Sequence, residues 1–384
     1  MSWERQKSTI SAKPEEPSFI LWIIAGVLAL VGCILLFVLH ANKLAGVLQT
    51  YSLWAVAAFP AVLWIFFLCL RSWLYNNAFN RHEFELSEAE FAQQQWEEWG
   101  GRNIAVLHSG VILPANLTSK ILLASPPTLE QSSFLSRRIA LHTPEAHFSV
   151  LLAGGNQALA KLPSGIVPVV TLLTDFSDDL PALQAAFMNA WQRAIPDRPR
   201  PRLTILKSKS FLSLDERIRA PALDVELILI HQTQGGDAYS DALALLMLTS
   251  DDVVTKFSLS FNARVLRPMK LDRAISETSL NMFFSTQTQA CSAVSIVGDK
   301  VDWGNAFFRL LNSAREYGGY WKPEQLYWLE KYAGISGPFS PWILAAVASD
   351  IVNLQKADCL MLSTDGEQEF INTVQTGNIT NENR

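Results

Sequence analysis

Phe19 to Leu39 is 21 residues without a charged side chain, and Ser52 to Leu70 adds 19 more. An α-helix rises about 1.5 Å per residue, so each stretch is long enough to cross a hydrocarbon core of about 30 Å. Backbone in lipid must satisfy its own hydrogen bonds, so these two stretches are expected as helices. The chain divides accordingly into a tail over 1–18, a transmembrane hairpin over 19–70, a connecting helix over 71–101, an α/β body over 102–375 and a flexible polar end over 376–384.

Trp22, Trp54 and Trp73 fall near the edges of the spans, where amphipathic indoles favour the headgroup layer. Pro60 lies inside the second span, where a neighbouring helix accommodates the missing donor. Arg5, Lys7 and Lys13 precede the first span and Arg71 and Arg81 follow the second, while the short connection from His40 to Tyr51 carries only Lys43. Retention of cations on the cytoplasmic side then places both termini inside. A cleaved signal peptide is the rival reading, but its apolar region runs to only about 7–15 residues and no second span follows it. Neither span contains Asp, Glu, Lys or Arg, which leaves an ion or proton pathway without an intramembrane handle.

The net charge of −5 argues against a general nucleic-acid binder. Cys33 and Cys69 lie in the spans; Cys291 and Cys359 stand far apart beyond them, which makes neither a disulfide framework nor a zinc site and fits a reducing compartment. The histidines (40, 82, 108, 142, 147 and 231) show no i,i+4 pairing, so no metal or other cofactor is expected. Oligomeric state leaves no mark on the sequence.

Ser87-Glu88-Ala89-Glu90 fits a capping box opening a helix that Gly100-Gly101 stops. Strands are expected at Asn103–Leu107, His147–Leu152, Ile166–Leu173, Leu203–Leu206, Val225–Ile230, Ala293–Val297 and Cys359–Leu362, with His108-Ser109-Gly110 as a turn. Helical spacing marks Asp179–Ile195, Tyr239–Leu248, Leu271–Phe284, Trp303–Arg315, Pro323–Tyr332 and Pro341–Leu354. The alternation predicts an α/β domain whose mixed or mostly parallel sheet is flanked by helices, with a subdomain boundary near 196–202. Val167–Leu173 and Val225–Ile230 each lead through a polar turn toward an expected helix; that unit is common in α/β proteins, and we read it as such.

The most site-like segment is Ile230-His231-Gln232-Thr233-Gln234-Gly235-Gly236-Asp237, between an expected strand and helix. Ligands of open α/β sheets bind at the carboxyl ends of strands, so His231 is a candidate base and Asp237 its orienting carboxylate. Capping and turn formation explain the same residue types and are the preferred reading. Gly154-Gly155-Asn156-Gln157 lacks either phosphate-loop pattern and reads as a plain turn, and Ser109, Ser164 and Ser336 are not framed as a nucleophile elbow. Arg198, Arg200 and Arg202, within a basic stretch that also holds Arg193, Lys207 and Lys209, suit either anionic lipid or a solvated linker. Tyr320, Trp321 and Trp328, in a segment with Tyr317, Tyr327 and Tyr332, suit a partner-binding patch, although core packing is the preferred account of such aromatics.

The stretch from His231 to Leu245 resembles the histidine-containing segment of thiolase-fold condensing enzymes. Those enzymes place a nucleophilic cysteine upstream, whereas Cys291 and Cys359 lie downstream, and the spacing from His231 to the aspartate also departs from their pattern. The resemblance therefore implies the fold, as a degenerate thiolase-like duplication, rather than the reaction. The two spans, the block Trp96–Thr118 and the tail near Leu360–Thr373 resemble inner-membrane accessory proteins of bacterial type VI secretion loci. That resemblance implies a bacterial inner-membrane location and an accessory or immunity role. The leading expectation is thus a membrane-anchored interaction protein whose cytoplasmic domain docks a protein partner. Its alternative is a membrane-tethered transferase or hydrolase with a pocket around His231 and Asp237, acting on an acyl or other membrane-associated substrate.

Overall fold

The structure, a computed structural model, describes residues 3–4, 9–44, 46–125, 131, 133–272 and 275–377. Two compact units, Ser2–Gln95 and Trp96–Arg384, make up the chain.

In the first unit, α1 (Phe19–Ala41) and the leading part of α2 (Leu53–Gly100) are each long and apolar enough to cross a membrane. No side chain of α1 is buried within the protein, which a helix from a soluble core would not show. The pair packs closely: Trp64 Nε1 donates to the Trp22 carbonyl at 3.2 Å, and a Cβ at Gly26 would sit 2.9 Å from the Trp64 ring. Beyond the hairpin, Ser11 donates through its N–H and hydroxyl to Glu85 Oε2 at 2.8 and 2.6 Å. Those two bonds, with help from Arg81, pull the Glu85 carboxyl down to about 2. The segment before α1 and the helix after the second apolar stretch therefore lie side by side, as a hairpin with both flanks on one side requires. The capping box at 87–90 opens no helix, because the turns before it are already helical and their carbonyls take the N–H groups a cap would serve.

The second unit is built twice on one plan. Its first half runs β1 (Asn103–Ile112), α3 (Ser119–Ala124), α4 (Pro144–Lys161), β2 (Val169–Thr174), α5 (Leu180–Ala194), β3 (Arg202–Leu206), α6 (Ser213–Arg219), β4 (Val225–Gln232) and β5 (Ala242–Thr249). After α7 (Asp251–Phe257) the second half runs β6 (Ala263–Leu266), β7 (Met269–Lys270), α8 (Glu277–Thr286), β8 (Ser295–Gly298), α9 (Trp303–Arg315), β9 (Leu326–Trp328), α10 (Glu330–Ala333), α11 (Ser340–Gln355), β10 (Cys359–Asp365) and β11 (Gln368–Thr376). All strands join one mixed sheet in the order β3-β2-β4-β5-β1-β6-β11-β10-β8-β9, with β7 paired to β11. Around the antiparallel pair β1–β6 the order is a palindrome: β1 corresponds to β6, β2 to β8, β3 to β9, β4 to β10 and β5 to β11. Parallel and antiparallel pairings correspond as well: β2 is parallel to β3 and β4, as β8 is to β9 and β10, and the hairpins β4–β5 and β10–β11 are antiparallel.

Strands β4 and β5 are buried at every position. Ile228, Ile230, Ala244 and Leu246 enter one core with α11, whereas Leu227, Leu229, Leu245 and Met247 enter another with α4 and α5. A strand covered on both faces reads as a continuous apolar run, so Tyr239–Leu248 suggests a helix by composition and yet forms β5. The strand-turn-helix unit expected after Val225–Ile230 is absent for that reason: β4 leads into a hairpin with β5, and the repeat lies between whole halves. His147–Leu152 is likewise not a strand but the interior of α4, started by the Thr143 hydroxyl accepting from the Ala146 N–H and by Pro144 in the first turn. His108-Ser109-Gly110 continues β1 across a bulge instead of turning. Pro323–Tyr332 splits into a single 3-10 turn, the short strand β9 and the start of α10. Residues 196–202 join α5 to β3, which pairs with β2 inside the same sheet. Of the expected flexible end, Thr376 closes β11 and 378–384 lie outside the described residues.

Candidate functional site

The carboxyl ends of β2 and β4 bring Thr174, Asp175 and His231 together, as the sheet order requires. His231 is 1% exposed. Its Nε2 lies 3.0 Å from His147 Nδ1, its Nδ1 lies 3.2 Å from Thr174 Oγ1, and His147 Nε2 lies 3.0 Å from the Leu141 carbonyl. A carbonyl only accepts, so His147 carries its proton on Nε2 and receives one from His231 Nε2. Thr174 then donates to His231 Nδ1 and accepts from the Phe176 N–H at 3.1 Å. Every member of the relay is satisfied while both rings are neutral. Burial, then the neighbouring His147, pushes His231 down to about 3, and the Phe148 and Phe176 rings pack against it.

Asp237 is not part of this arrangement. It is exposed on the turn closed by Ala238 N–H to the Gly235 carbonyl, with Gly236 at a φ of +51°. A Cβ at Gly235 would come within 2.4 Å of Tyr239, so this glycine serves close packing. The carboxylates that organise the loop are others. Asp175 accepts from the N–H groups of Thr233 and Gln234 at 3.0 and 2.8 Å and from the Tyr239 hydroxyl at 3.2 Å. Asp241 accepts from Arg138 Nη1 at 2.6 Å and from the Ile139 N–H at 3.1 Å. Beside the loop is a cavity of only 20 Å³, lined by Gln232, Ser240 and Gly337 among others, enough for a single water.

The second half repeats this feature. Asp299, directly after β8, stands where Asp175 stands after β2 and accepts from the Thr364 N–H at 2.8 Å, as Asp175 accepts from Thr233. It also accepts from Trp303 Nε1 and Ser340 Oγ, while burial pushes its carboxyl up. Sequence reasoning missed both aspartates as a pair. The signal was present: Leu173-Thr174-Asp175 and Val297-Gly298-Asp299 each end an apolar strand one residue before the carboxylate.

Neither thiol of the second unit is activated. Burial raises Cys291 to about 11 and pushes the fully buried Cys359 up as well. Among the described residues no cluster of three metal-ligating side chains occurs. The basic stretch is largely engaged: Arg198 donates to the carbonyls of Leu162 and Ile166, Arg200 to Gln192 at 3.1 Å, Arg193 pairs with Glu145 and Lys209 with Glu226, leaving Arg202 and Lys207 exposed at the two ends of the edge strand β3. The aromatic segment does not form one patch. Trp321 is buried with Nε1 donating to the Ala293 carbonyl at 2.7 Å, Trp328 is half-buried in β9, and Tyr320 is exposed.

Replacing His231 with Phe tests the relay. At neutral pH it should cost about 1–3 kcal/mol by orphaning Thr174 and His147. A histidine held near 3 when folded and near 6.5 when unfolded contributes stability that is complete above 6.5 and is lost as the pH falls from 6.5 toward 3. Asp350, raised to about 6 by burial, acts in the opposite sense below that value. The readout is therefore the difference between wild type and variant in denaturant titrations at pH 7 and 5: the gap should shrink at pH 5.

No protein-family model matches this chain, and no curated protein matches it. It is similar to solved structures of condensing enzymes. A cerulenin-bound variant of OleA from Xanthomonas campestris gives a TM-score of 0.49 at 10% identity, over 73% of this chain and 98% of that one. A type II polyketide ketosynthase with its acyl-carrier protein, AntDE with AntF, gives 0.48 at 9% identity over 72% and 99%. FabH, the 3-oxoacyl-(acyl carrier protein) synthase III of Pseudomonas aeruginosa PAO1, gives 0.42 at 12% over 72% and 98%. These neighbours are thiolase-fold condensing enzymes, in line with the resemblance of 231–245. None of these similar structures is a type VI secretion or immunity component, and that expectation is withdrawn for want of support.

Proposed function

We propose that this chain is a membrane-anchored protein, both termini cytoplasmic, whose doubled α/β domain works by binding a protein partner. One observation carries the reading: the strand ends that could hold catalytic groups are closed by satisfied polar networks around His231 and Asp299, without an activated thiol. A fully satisfied buried polar network of that kind rigidifies a core, which is the role this reading gives it. The exposed Tyr320 is the candidate contact from the aromatic segment. Full-length protein should capture its partner from detergent-solubilised native membranes after cross-linking, and Tyr320→Glu should reduce that capture severalfold while His231→Phe retains it. The reverse pattern rejects the reading.

The second reading is a membrane-tethered acyl transferase, in keeping with the similar structures, which include a ketosynthase and a 3-oxoacyl synthase. Incubation of the solubilised protein with acyl-coenzyme A and intact-mass measurement separates the two. A covalent acyl adduct or thiol release favours the transferase; an unmodified mass with no release favours binding.

A further inference from the structure

His108 occupies the β-bulge of β1, where the register against β5 slips between Val106 and His108. Bulges re-aim side chains, and this one turns the imidazole toward α4. The ring lies against Gly155, whose missing Cβ would sit 3.6 Å from His108 Cδ2 and 3.3 Å from Leu245, so Gly155 is explained by packing. Gly154 is not: a Cβ there meets nothing within 4 Å. Glycine inside a helix is less favourable than alanine, and at this position no neighbour requires it. Its effect is to leave a bare stretch of helix as one wall of a 200 Å³ pocket, which His108, Gln157, Lys161, Ser260 and Asn262 also line.

The chemistry of that lining is one-sided. Among the described lining residues Lys161 supplies the only formal charge, none is a carboxylate, and Gln157, Asn262 and Ser260 can each donate. The His108 ring makes no hydrogen bond among the described residues, and burial lowers its pKa, so it offers a neutral N–H. The negative end of α4 would oppose an anion, but Arg198 already donates to the Leu162 carbonyl there. We propose that the pocket between α4 and the segment before β6 is a binding site for a small oxyanion, a carboxylate or phosphate group, held by Lys161 and His108 over the open face of Gly154.

The site is independent of both functional readings above. Its test is isothermal titration of full-length, detergent-solubilised protein in a buffer free of both probes, with inorganic phosphate and separately with malonate. Saturable one-to-one binding of either probe is expected; phosphate alone identifies a phosphoryl ligand and malonate alone a carboxylate. Lys161→Gln should weaken binding about tenfold or more, the loss of one charge-assisted bond. Gly154→Leu should abolish it while leaving the melting temperature unchanged or higher, since the new side chain enters open space and favours the helix. No saturable heat with either anion, or unchanged affinity in Gly154→Leu, overturns the proposal.

Discussion

Deleting residues 1–95 is expected to move the protein from the membrane pellet to the aqueous fraction almost completely. Leu, Ile, Phe and Val each contribute about −0.3 to −0.6 kcal/mol at the centre of an inserted helix, and the two apolar stretches hold enough of them to retain the full-length chain against salt and carbonate washes. The truncation takes away α1, whose side chains are all unburied within the protein, and leaves a unit with its own core. The cut falls within α2, yet its final turn stays held: Trp99 is 5% exposed and Gln287 Nε2 donates to the Gly100 carbonyl at 3.1 Å. Fractionation with and without detergent is the measurement. Full-length chain recovered from the aqueous fraction without detergent would overturn the membrane assignment, and external protease reaching the second unit in intact cells would overturn the orientation.

The hairpin is legible because its signal is additive along the chain: every residue from Phe19 to Leu39 is uncharged, and no tertiary contact is needed to read that. The α/β character is legible for a related reason, since Val169–Thr174 and Val225–Gln232 are β-branched or leucine-rich runs of strand length. Local pattern could not supply the choice between strand and helix for Ala242–Thr249. Its alanines and leucines favour a helix, and only pairing with β4 and β1 on its two sides makes the strand the better solution. The duplication is legible only through the resemblance of 231–245 to thiolase-fold enzymes. The halves share strand order and pairing sense and the aspartates after β2 and β8, which is too little for a direct comparison of short segments to reveal it.

The site was half legible. His231 does sit at the end of a central strand, as its position in the sequence suggests. Its nearest polar partners, however, come from 57 and 84 residues upstream, at Thr174 and His147, and a single sequence does not display that distance folded to 3 Å. Asp237 attracted attention by being six residues away, yet the turn carries it into solvent. Charge was misleading in the same way. Arg198 looks like a surface cation in a proline-rich stretch, but its guanidinium closes the end of α4.

Asp215→Ala is expected to be the most destabilising single substitution of a polar side chain in the second unit, at about 3–5 kcal/mol. Arg267 follows β6 directly, is 0% exposed, and has Nη1 2.7 Å from Asp215 Oδ1 on α6, with its guanidinium 4.3 Å from the centre of the Trp99 ring. Burial already pulls the Arg267 pKa down, with Asp215 as the charge that opposes the shift. Without Asp215 the guanidinium remains positive in the interior with only a ring face against it. Arg219, half-exposed, also pairs with Asp215 at 2.5 Å, but an exposed partner loses about 0–1 kcal/mol because water replaces the contact. The penalty therefore belongs to the stranded charge, and the double variant Asp215→Ala/Arg267→Met should recover most of it, since Met fills the volume without the charge. Denaturant titration of the three proteins measures both quantities. A single-variant loss under about 1 kcal/mol, or a double variant no more stable than the single, would show that the pair is not what fastens this layer. Because Trp99 closes the last turn of α2, hydrogen exchange at 96–100 should rise in Asp215→Ala before the β4–β5 core opens. The last turn of α2 and the buried ion pair of the sheet are then one structural element.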